Sequence, residues 1–369
     1  MAGIYLHIPF CKQACHYCNF HFSTSSRYKN EFVTALLKET ELQKNYLPDE
    51  PVETIYFGGG TPSLLEIEDL KLQIDKIRSV YSISKFAEIT LEANPDDISE
   101  KKLSEWKDAG INRLSIGVQS FYDEDLKWMN RAHNAEQAIG NLQLAIPYFN
   151  NISIDLIYGT PLLTNEKWKQ NVETVIDLSV PHLSCYALTV EEKTPLYKMI
   201  RQHEKEDINP DKQSEQFLLL MQWLDNAGYE HYEISNFAKP GFRSRHNTSY
   251  WQGKKYLGLG PSAHSFDGRS RQWNVANNNI YIESINKGIM PFEKEELTST
   301  QQLNEYIMIS LRKMEGLNLA KIDKEVSEKL QAASKRYIDN GLMKLNENHL
   351  ILTNEGKLLA DGIAAALFF

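Results

Sequence analysis

Cysteine is scarce in this chain, and its placement is uneven. There are four cysteines in 369 residues, and three of them, Cys11, Cys15 and Cys18, fall within eight residues. A disulfide framework spreads its cysteines along the chain, so this pattern excludes one and points instead to metal binding in a reducing compartment. Long apolar runs are also missing: none approaches the roughly 20 residues of a membrane span. Residues 1–4, Met1-Ala2-Gly3-Ile4, carry no basic region and no cleavage-type segment. Both absences predict a cytoplasmic protein with no transmembrane segment, leaving open transient contact with a membrane-bound partner. Positive charge is in deficit as well, with 40 Lys and Arg against 49 Asp and Glu and a net charge of −9. No basic face stands out, so nucleic acid is not an expected partner.

What is present has a clear order. Short β-like runs at residues 4–8, 54–57, 88–91, 113–118, 152–157 and 182–188 alternate with helical patterns at 28–44, 64–79, 99–109, 135–148, 168–178 and 212–227. Gly110 and Gly228 suit helix C-caps. This alternation predicts an α/β fold with a parallel sheet and crossover helices, either an open sheet or a partial barrel. In both, ligand sites gather at the carboxyl ends of the strands. The pattern changes after Tyr232. Residues 236–298 are rich in Asn, Gly, Ser and aromatics and read as an irregular linking segment. From Ser299 the chain is helical again, and a hairpin at 343–352 lies between helical stretches at 325–340 and 355–367. The predicted organisation is a barrel domain at 1–235, the linking segment at 236–298, and a small α+β winged-helix-like domain at 299–369. The acidic balance favours a packing role for that last domain over DNA binding.

The cysteines read Cys11-Lys12-Gln13-Ala14-Cys15-His16-Tyr17-Cys18. Three thiolates on one loop can each bind a different iron of a [4Fe-4S] cubane, leaving the fourth iron open to a ligand. Zinc on three thiolates and His16 is the competing reading. Structural zinc sites usually pair two separated knuckles, and no second CxxC occurs, which favours iron–sulfur. Cys185 sits alone in the apolar run Leu183-Ser184-Cys185-Tyr186-Ala187-Leu188 and reads as a small core residue.

A CxxxCxxC loop directly after a first strand resembles the radical S-adenosylmethionine superfamily. That resemblance implies that S-adenosylmethionine chelates the open iron through its amino and carboxylate groups, and that Tyr17 packs near the adenine. Further candidates stand at strand ends. Gly58-Gly59-Gly60-Thr61-Pro62 lets the backbone approach a ligand closely, and the superfamily uses this loop for the methionine amino group. Glu92 could hydrogen-bond a ribose or be a solvated loop carboxylate. Gln119 ends the fourth strand, and Arg131 could hold a carboxylate bidentately. Asp155 lies in an apolar strand, where burial is costly without a partner.

The match then narrows. Tyr5-Leu6-His7-Ile8-Pro9-Phe10-Cys11, the Gly58–Pro62 loop, Gly117-Val118-Gln119-Ser120-Phe121 and Ile154-Asp155-Leu156-Ile157-Tyr158-Gly159 resemble the family of oxygen-independent coproporphyrinogen III dehydrogenase. The resemblance implies a partial (β/α)6 barrel and contacts to S-adenosylmethionine from Tyr5, Gly59, Gly60, Thr61, Glu92, Gln119, Arg131 and Asp155. Two departures separate this chain from the dehydrogenase: Phe20 stands where that enzyme has a further cysteine, and only ten residues precede Cys11, where the enzyme has a long extension. Arg245-His246-Asn247-Thr248-Ser249-Tyr250-Trp251 fits the HNxxYW pattern of the HemW-type heme chaperones. The resemblance to that branch implies heme and an unidentified heme-acceptor protein as partners. Chemically, His246 could ligate iron while Tyr250 and Trp251 pack on the porphyrin; His264 is the competing ligand. A radical enzyme acting on another substrate remains a third reading.

Overall fold

The computed structural model describes residues 2–48 and 50–369. Six parallel strands run in sequence order across one sheet: β1 (Ala2–Ile8), β2 (Val52–Gly59), β3 (Ile83–Ala93), β4 (Arg113–Gln119), β5 (Ile152–Tyr158) and β6 (His182–Ala187). Helices Lys29–Leu42, Ile67–Val80, Glu100–Asp108, Ala135–Ala145 and Asn165–Asp177 cross between them, and Pro210–Asn226 follows β6. This is the partial (β/α)6 barrel. Each predicted strand is present, although β3 starts five residues before the run at 88–91. Two short helices, Asp123–Met129 and Pro195–Arg201, have no counterpart in the predicted pattern, because seven residues are too few to display a helical period.

Period-two alternation gives each strand two chemically distinct faces. Ile55, Phe57, Ile89, Leu91, Leu114, Ile116, Ile154 and Leu156 are buried in one apolar layer beneath the helices. Between them stand Thr54, Tyr56, Thr90, Glu92, Arg113, Ser115, Ser153 and Asp155, which share the opposite, polar face lining the lumen. Cys185 belongs to the apolar layer, 2% exposed, so it is packed against the helices and turned away from the lumen.

Residues 236–298 hold more regular structure than the sequence predicts. β7 (Glu230–Glu233) and β8 (Asn236–Ala238) extend the sheet beyond β6. β9 (Tyr256–Leu259), β10 (His264–Phe266), β11 (Ser270–Asn274) and β12 (Phe292–Glu296) extend it beyond β1, making twelve strands. Helices Arg245–Trp251 and Asn278–Asn286 lie between them. These strands are three to five residues long, too short to show a period, and are held by partners distant in sequence. The main anchor is Glu39 on the first crossover helix. Its fully buried carboxylate accepts from the Gly260 amide at 2.7 Å, from Asn274 Nδ2 at 2.7 Å and from the Tyr281 hydroxyl.

The C-terminal unit has its own apolar cluster, including Ile307, Leu311, Leu330, Leu350 and Ile363. Helix Ser299–Leu311, β13 (Leu317–Asn318), helix Lys324–Asp339 and the hairpin β14 (Met343–Asn346) and β15 (His349–Leu352) make a winged-helix-like arrangement with a three-stranded antiparallel sheet. The stretch predicted as one helix at 355–367 is two, Asn354–Lys357 and Ala360–Ala365. This unit clasps the barrel through backbone bonds from Ile234 N–H to Arg312 O (3.1 Å) and from Met314 N–H to Tyr232 O (3.1 Å). Arg243 adds ion pairs to Glu230 (3.0 Å) and Glu315 (2.9 Å).

Replacing Glu39 with Ala strands the Gly260 N–H and the Tyr281 hydroxyl inside the core. An unsatisfied buried group costs about 1–3 kcal/mol, so Glu39→Ala is expected to lower unfolding free energy by roughly 3 kcal/mol in a urea titration. Hydrogen exchange should quicken first in the 256–296 strands.

Candidate functional site

The cysteine loop leaves β1 at Ile8 and is tied down at several points. The Cys11 amide donates to Ser23 O at 3.0 Å and the Ser23 amide to Pro9 O at 2.8 Å, closing the loop's ends. Its middle docks on the end of helix Asp123–Met129. There Asn130, with a left-handed φ of 60°, donates from Nδ2 to Ala14 O at 2.8 Å, and Gln13 Nε2 donates back to Asn130 Oδ1 at 2.8 Å. The His16 amide donates to Met129 O at 3.1 Å, while its Nδ1 bonds Trp128 O at 3.1 Å. The three thiols are half-buried, with Thr61 Oγ1 3.7 Å from Cys11 Sγ and Arg131 Nη1 3.4 Å from Cys15 Sγ. Burial pushes the Cys11 thiol up to about 11 and raises Cys18 as well, helped by the like charge of neighbouring thiolates. Ligation by iron would remove those protons, coupling cluster assembly to proton release.

The surroundings fit a cluster. A Cβ at Gly60 would stand 2.6 Å from Phe10 O, 2.9 Å from Ile8 O and 3.0 Å from Cys11 Sγ. Only glycine lets β2's loop come this close to the cysteines. Among the described residues, no group of three His, Cys, Asp or Glu could hold a metal ion. His16, the fourth ligand of the zinc reading, is engaged at Nδ1 by Trp128 O, and three soft thiolates on one loop suit a multi-iron cluster.

Beside this loop the lumen carries the other sequence candidates. Glu92 Oε1 accepts from the Tyr56 hydroxyl at 2.8 Å and Oε2 from the Gly59 amide at 3.1 Å. Gly59 has φ +107°, a conformation that places its amide over Glu92 and that side chains rarely adopt. Burial raises the Glu92 carboxyl to about 7, and the charge of Asp155 adds to the shift. Asp155 is raised to about 6, again mainly by burial, offset by Ser184, Arg113, Arg131 and Ser115. Gln119 has φ 69°, unusual for a residue with a side chain, and sits at a register shift between β4 and β5. Tyr5 donates to His7 Nδ1 at 3.2 Å and stacks on Tyr56 with ring centroids 6.1 Å apart. Tyr17 Oη lies 3.5 Å from Arg131 Nη1.

Two lumen residues escaped the sequence reading. Asn94 donates to Thr61 Oγ1 at 3.2 Å and accepts from Arg131 Nη2 at 2.6 Å, joining the glycine loop to the arginine that faces Cys15. Arg113 is 1% exposed, with Nε and Nη2 unpaired. It sits beneath Glu92 and Asp155 and lowers both carboxyls. An arginine alternating with apolar residues in β4 is a readable signal for a lumen charge.

The structure separates the three residues of the HNxxYW segment. His246 is 1% exposed, and both ring nitrogens are engaged, Nδ1 with Thr54 Oγ1 at 2.7 Å and Nε2 with the Tyr250 hydroxyl at 2.8 Å. Its backbone amide and that of Arg245 donate to Glu88 at 3.0 and 3.2 Å. His246 therefore supports Tyr250 from behind and presents no free nitrogen. Tyr250 and Trp251 do line a cleft, of about 1220 Å³, that runs between the barrel side and the C-terminal unit. One end, at Tyr5, His7 and Phe20, adjoins the cysteine loop; the far wall includes Tyr306, Met308 and Ile309. Tyr256 meets Tyr250 edge to face at 4.6 Å, and Arg312 of the C-terminal unit lies 5.5 Å over Trp251.

Comparison with known proteins fits this geometry. A family model described as the radical SAM superfamily matches residues 5–175, and one described as the HemN C-terminal domain matches residues 297–359. The chain is 35% identical to the heme chaperone HemW of Bacillus subtilis over 99% of both proteins. It is 34% identical to HemW of Mycobacterium tuberculosis H37Rv, over 99% of this chain and 94% of the relative. Escherichia coli HemW is 36% identical over 71% of this chain and 69% of its own. Among solved structures, coproporphyrinogen III oxidase (HemN) from Escherichia coli shares the fold, with a TM-score of 0.86 at 23% identity, covering 100% of this chain and 90% of that one.

Two substitutions test the site. Gly60→Ala forces the loops apart, and iron and sulfide per chain after anaerobic reconstitution should fall well below those of the parent. Glu92→Gln removes a charged acceptor and should weaken S-adenosylmethionine binding about tenfold, the scale of one charge-assisted hydrogen bond. Its effect on the ligand-free fold has the opposite sign. Glu92 titrates at about 7 in the folded chain, above the ordinary carboxylate range near 4.3. The folded state thus holds the proton more tightly, and stability is lost as pH rises through that interval. The amide cannot ionise, so Glu92→Gln should raise the ligand-free Tm, more at pH 8 than at pH 5.

Proposed function

This chain belongs to the HemW family of heme chaperones within the radical SAM superfamily, and from that premise we propose that it holds heme in the cleft between barrel and C-terminal unit and passes it to an acceptor protein. Its cofactors are a [4Fe-4S] cluster and S-adenosylmethionine, with heme as cargo. The observation that carries the proposal is the cleft itself. It exceeds the roughly 300–1,000 Å³ of an ordinary small-molecule site, it is walled by Tyr250, Trp251, Tyr256 and Tyr306, and it opens beside Tyr5 at the edge of the cluster site. Flat aromatic faces suit a macrocycle. Lys313 and Lys321 also line the cleft, and neither forms a salt bridge among the described residues. Burial lowers the Lys313 ammonium. An incoming carboxylate relieves that cost, so these two cations would receive the heme propionates.

Within the barrel, Cys11, Cys15 and Cys18 would ligate three irons, leaving one for the amino and carboxylate groups of S-adenosylmethionine. When bound, this pair supplies one-electron chemistry. The chain's own contribution is positional. Gly59, Gly60 and Thr61 bring backbone to the amino end, and Arg131, held by Asn94 and the Gly117 carbonyl (2.6 and 2.7 Å), faces the carboxylate end. Glu92 would take the ribose, with Gln119 and Asp155 along the same wall and Tyr17 beside the adenine. The free thiols suit a reducing compartment, and we place the protein in the cytoplasm; no described helix is long and apolar enough to cross a membrane.

The shared fold with coproporphyrinogen III oxidase keeps decarboxylation as the second reading. At the position where that family is expected to carry a further cysteine, this chain has Phe20, 67% exposed and without a thiol to offer. The reconstituted protein is therefore expected to bind one heme per chain in a spectroscopic titration. It should yield no protoporphyrinogen IX from coproporphyrinogen III with reductant and S-adenosylmethionine, products being separated by chromatography. Turnover would overturn the chaperone reading whatever the titration gave.

A further inference from the structure

Four histidines line the cleft: His7, His21, His264 and His349. They differ in what their ring nitrogens are already doing. His7 is 5% exposed and bonded at both nitrogens, to the Tyr5 hydroxyl at 3.2 Å and to His21 O at 2.8 Å. His21 is engaged at Nε2 by Asn278 Oδ1 at 2.7 Å. His349, half-buried on β15 opposite Asn318 and Asn346, also makes no side-chain hydrogen bond among the described residues, but no aromatic ring stacks on it there to fix its orientation. His264 is exposed to the cleft and makes no side-chain hydrogen bond among the described residues.

The strand pairing explains why His264 points where it does. β10 and β11 run antiparallel, placing His264 opposite Trp273 and Phe266 opposite Arg271. Directly paired residues share a face, and the intervening Ser265 turns inward, where its hydroxyl accepts from the Gly258 amide at 2.9 Å. His264, Trp273, Phe266 and Arg271 thus form one patch on the cleft face. The imidazole lies nearly parallel to the Trp273 ring, with centroids 6.1 Å apart at 29°, which limits its rotation. Arg271 sits 5.9 Å over Phe266 and pairs across the cleft with Glu305 at 3.0 Å. The patch therefore offers an unoccupied nitrogen donor, held by an aromatic neighbour, on an aromatic and cationic wall. Partial burial, with the Arg271 guanidinium adding to it, also favours a neutral imidazole, the form that binds iron.

We infer that His264 supplies the axial nitrogen to the iron of heme held in this cleft, while His246 acts only behind Tyr250. The inference rests on the proposal that the cleft holds heme, and the test separates the two. Ferric heme is titrated into the full-length, cluster-reconstituted protein and into His264→Ala, His246→Gln and His349→Ala, with binding read by absorbance. Axial ligation is read by electron paramagnetic resonance on protein carrying ¹⁵N-histidine. The parent, His246→Gln and His349→Ala should each show a histidine nitrogen coupled to the iron. His264→Ala should lose that coupling and bind heme roughly tenfold or more weakly, the scale of losing support at a metal centre. Added imidazole should restore a nitrogen ligand in His264→Ala, which distinguishes a missing ligand from a damaged fold. Retention of histidine coupling in His264→Ala, or its loss in His246→Gln or His349→Ala instead, would overturn the inference and leave the heme cleft standing. No heme bound by the parent would overturn the cleft proposal and the inference with it.

Discussion

Two carboxyl groups, Glu92 and Asp155, face one lumen, on the side of the sheet opposite the apolar layer that packs beneath the helices. Much of the barrel follows from accommodating them. Burial raises both, and the charge of Asp155 raises Glu92 further, so the lumen must supply donors and countercharge. The Tyr56 hydroxyl and the Gly59 amide satisfy Glu92, Ser115 and Ser184 lie at Asp155, and Arg113 sits beneath both. With the two carboxyls, that set comes from five strands, so the chemistry of the lumen and the order of the sheet are one constraint. Alternation along each strand meets it. Polar residues turn in, and residues such as Ile89, Leu91 and Ile154 turn out into the layer beneath the helices.

The cysteine loop is held by a different logic. Little of it belongs to a regular element, and its shape comes from bonds at its ends and from the Asn130 turn. Arg131 follows that turn directly, so one loop end fixes both the thiols and the guanidinium beside them. Gly60 completes the enclosure by having no side chain. The Asn130 and Arg131 contacts link residues more than a hundred positions apart, so the pocket's geometry depends on the folded barrel.

The barrel and its cofactor residues were legible because their signals are local. A CxxxCxxC loop, a glycine run and acids at strand ends each stand within a few residues of a strand that reads clearly. What stayed hidden depends on distant partners. The strands between 256 and 296 are short, and Glu39, more than two hundred residues away, holds them in place. Asn94 stands two residues after Glu92, yet its role as a bridge between Thr61 and Arg131 exists only once three loops meet. The histidines show the same limit. Sequence put His246 and His264 forward as alternatives, and only the hydrogen bonds from Thr54 and Tyr250 distinguish an occupied ring from an open one.

The cleft is built from two separately cored parts of the chain, one wall carrying Tyr250 and Arg271, the other Tyr306 and Glu305. Such an arrangement obeys reciprocity. A guest that touches both walls tightens the clasp between them, and anything that loosens the clasp weakens the grip on the guest by the same free energy. Grip and release are thus two readings of one hinge, and a second protein that competes for the C-terminal wall would unload the cleft without touching the iron–sulfur site.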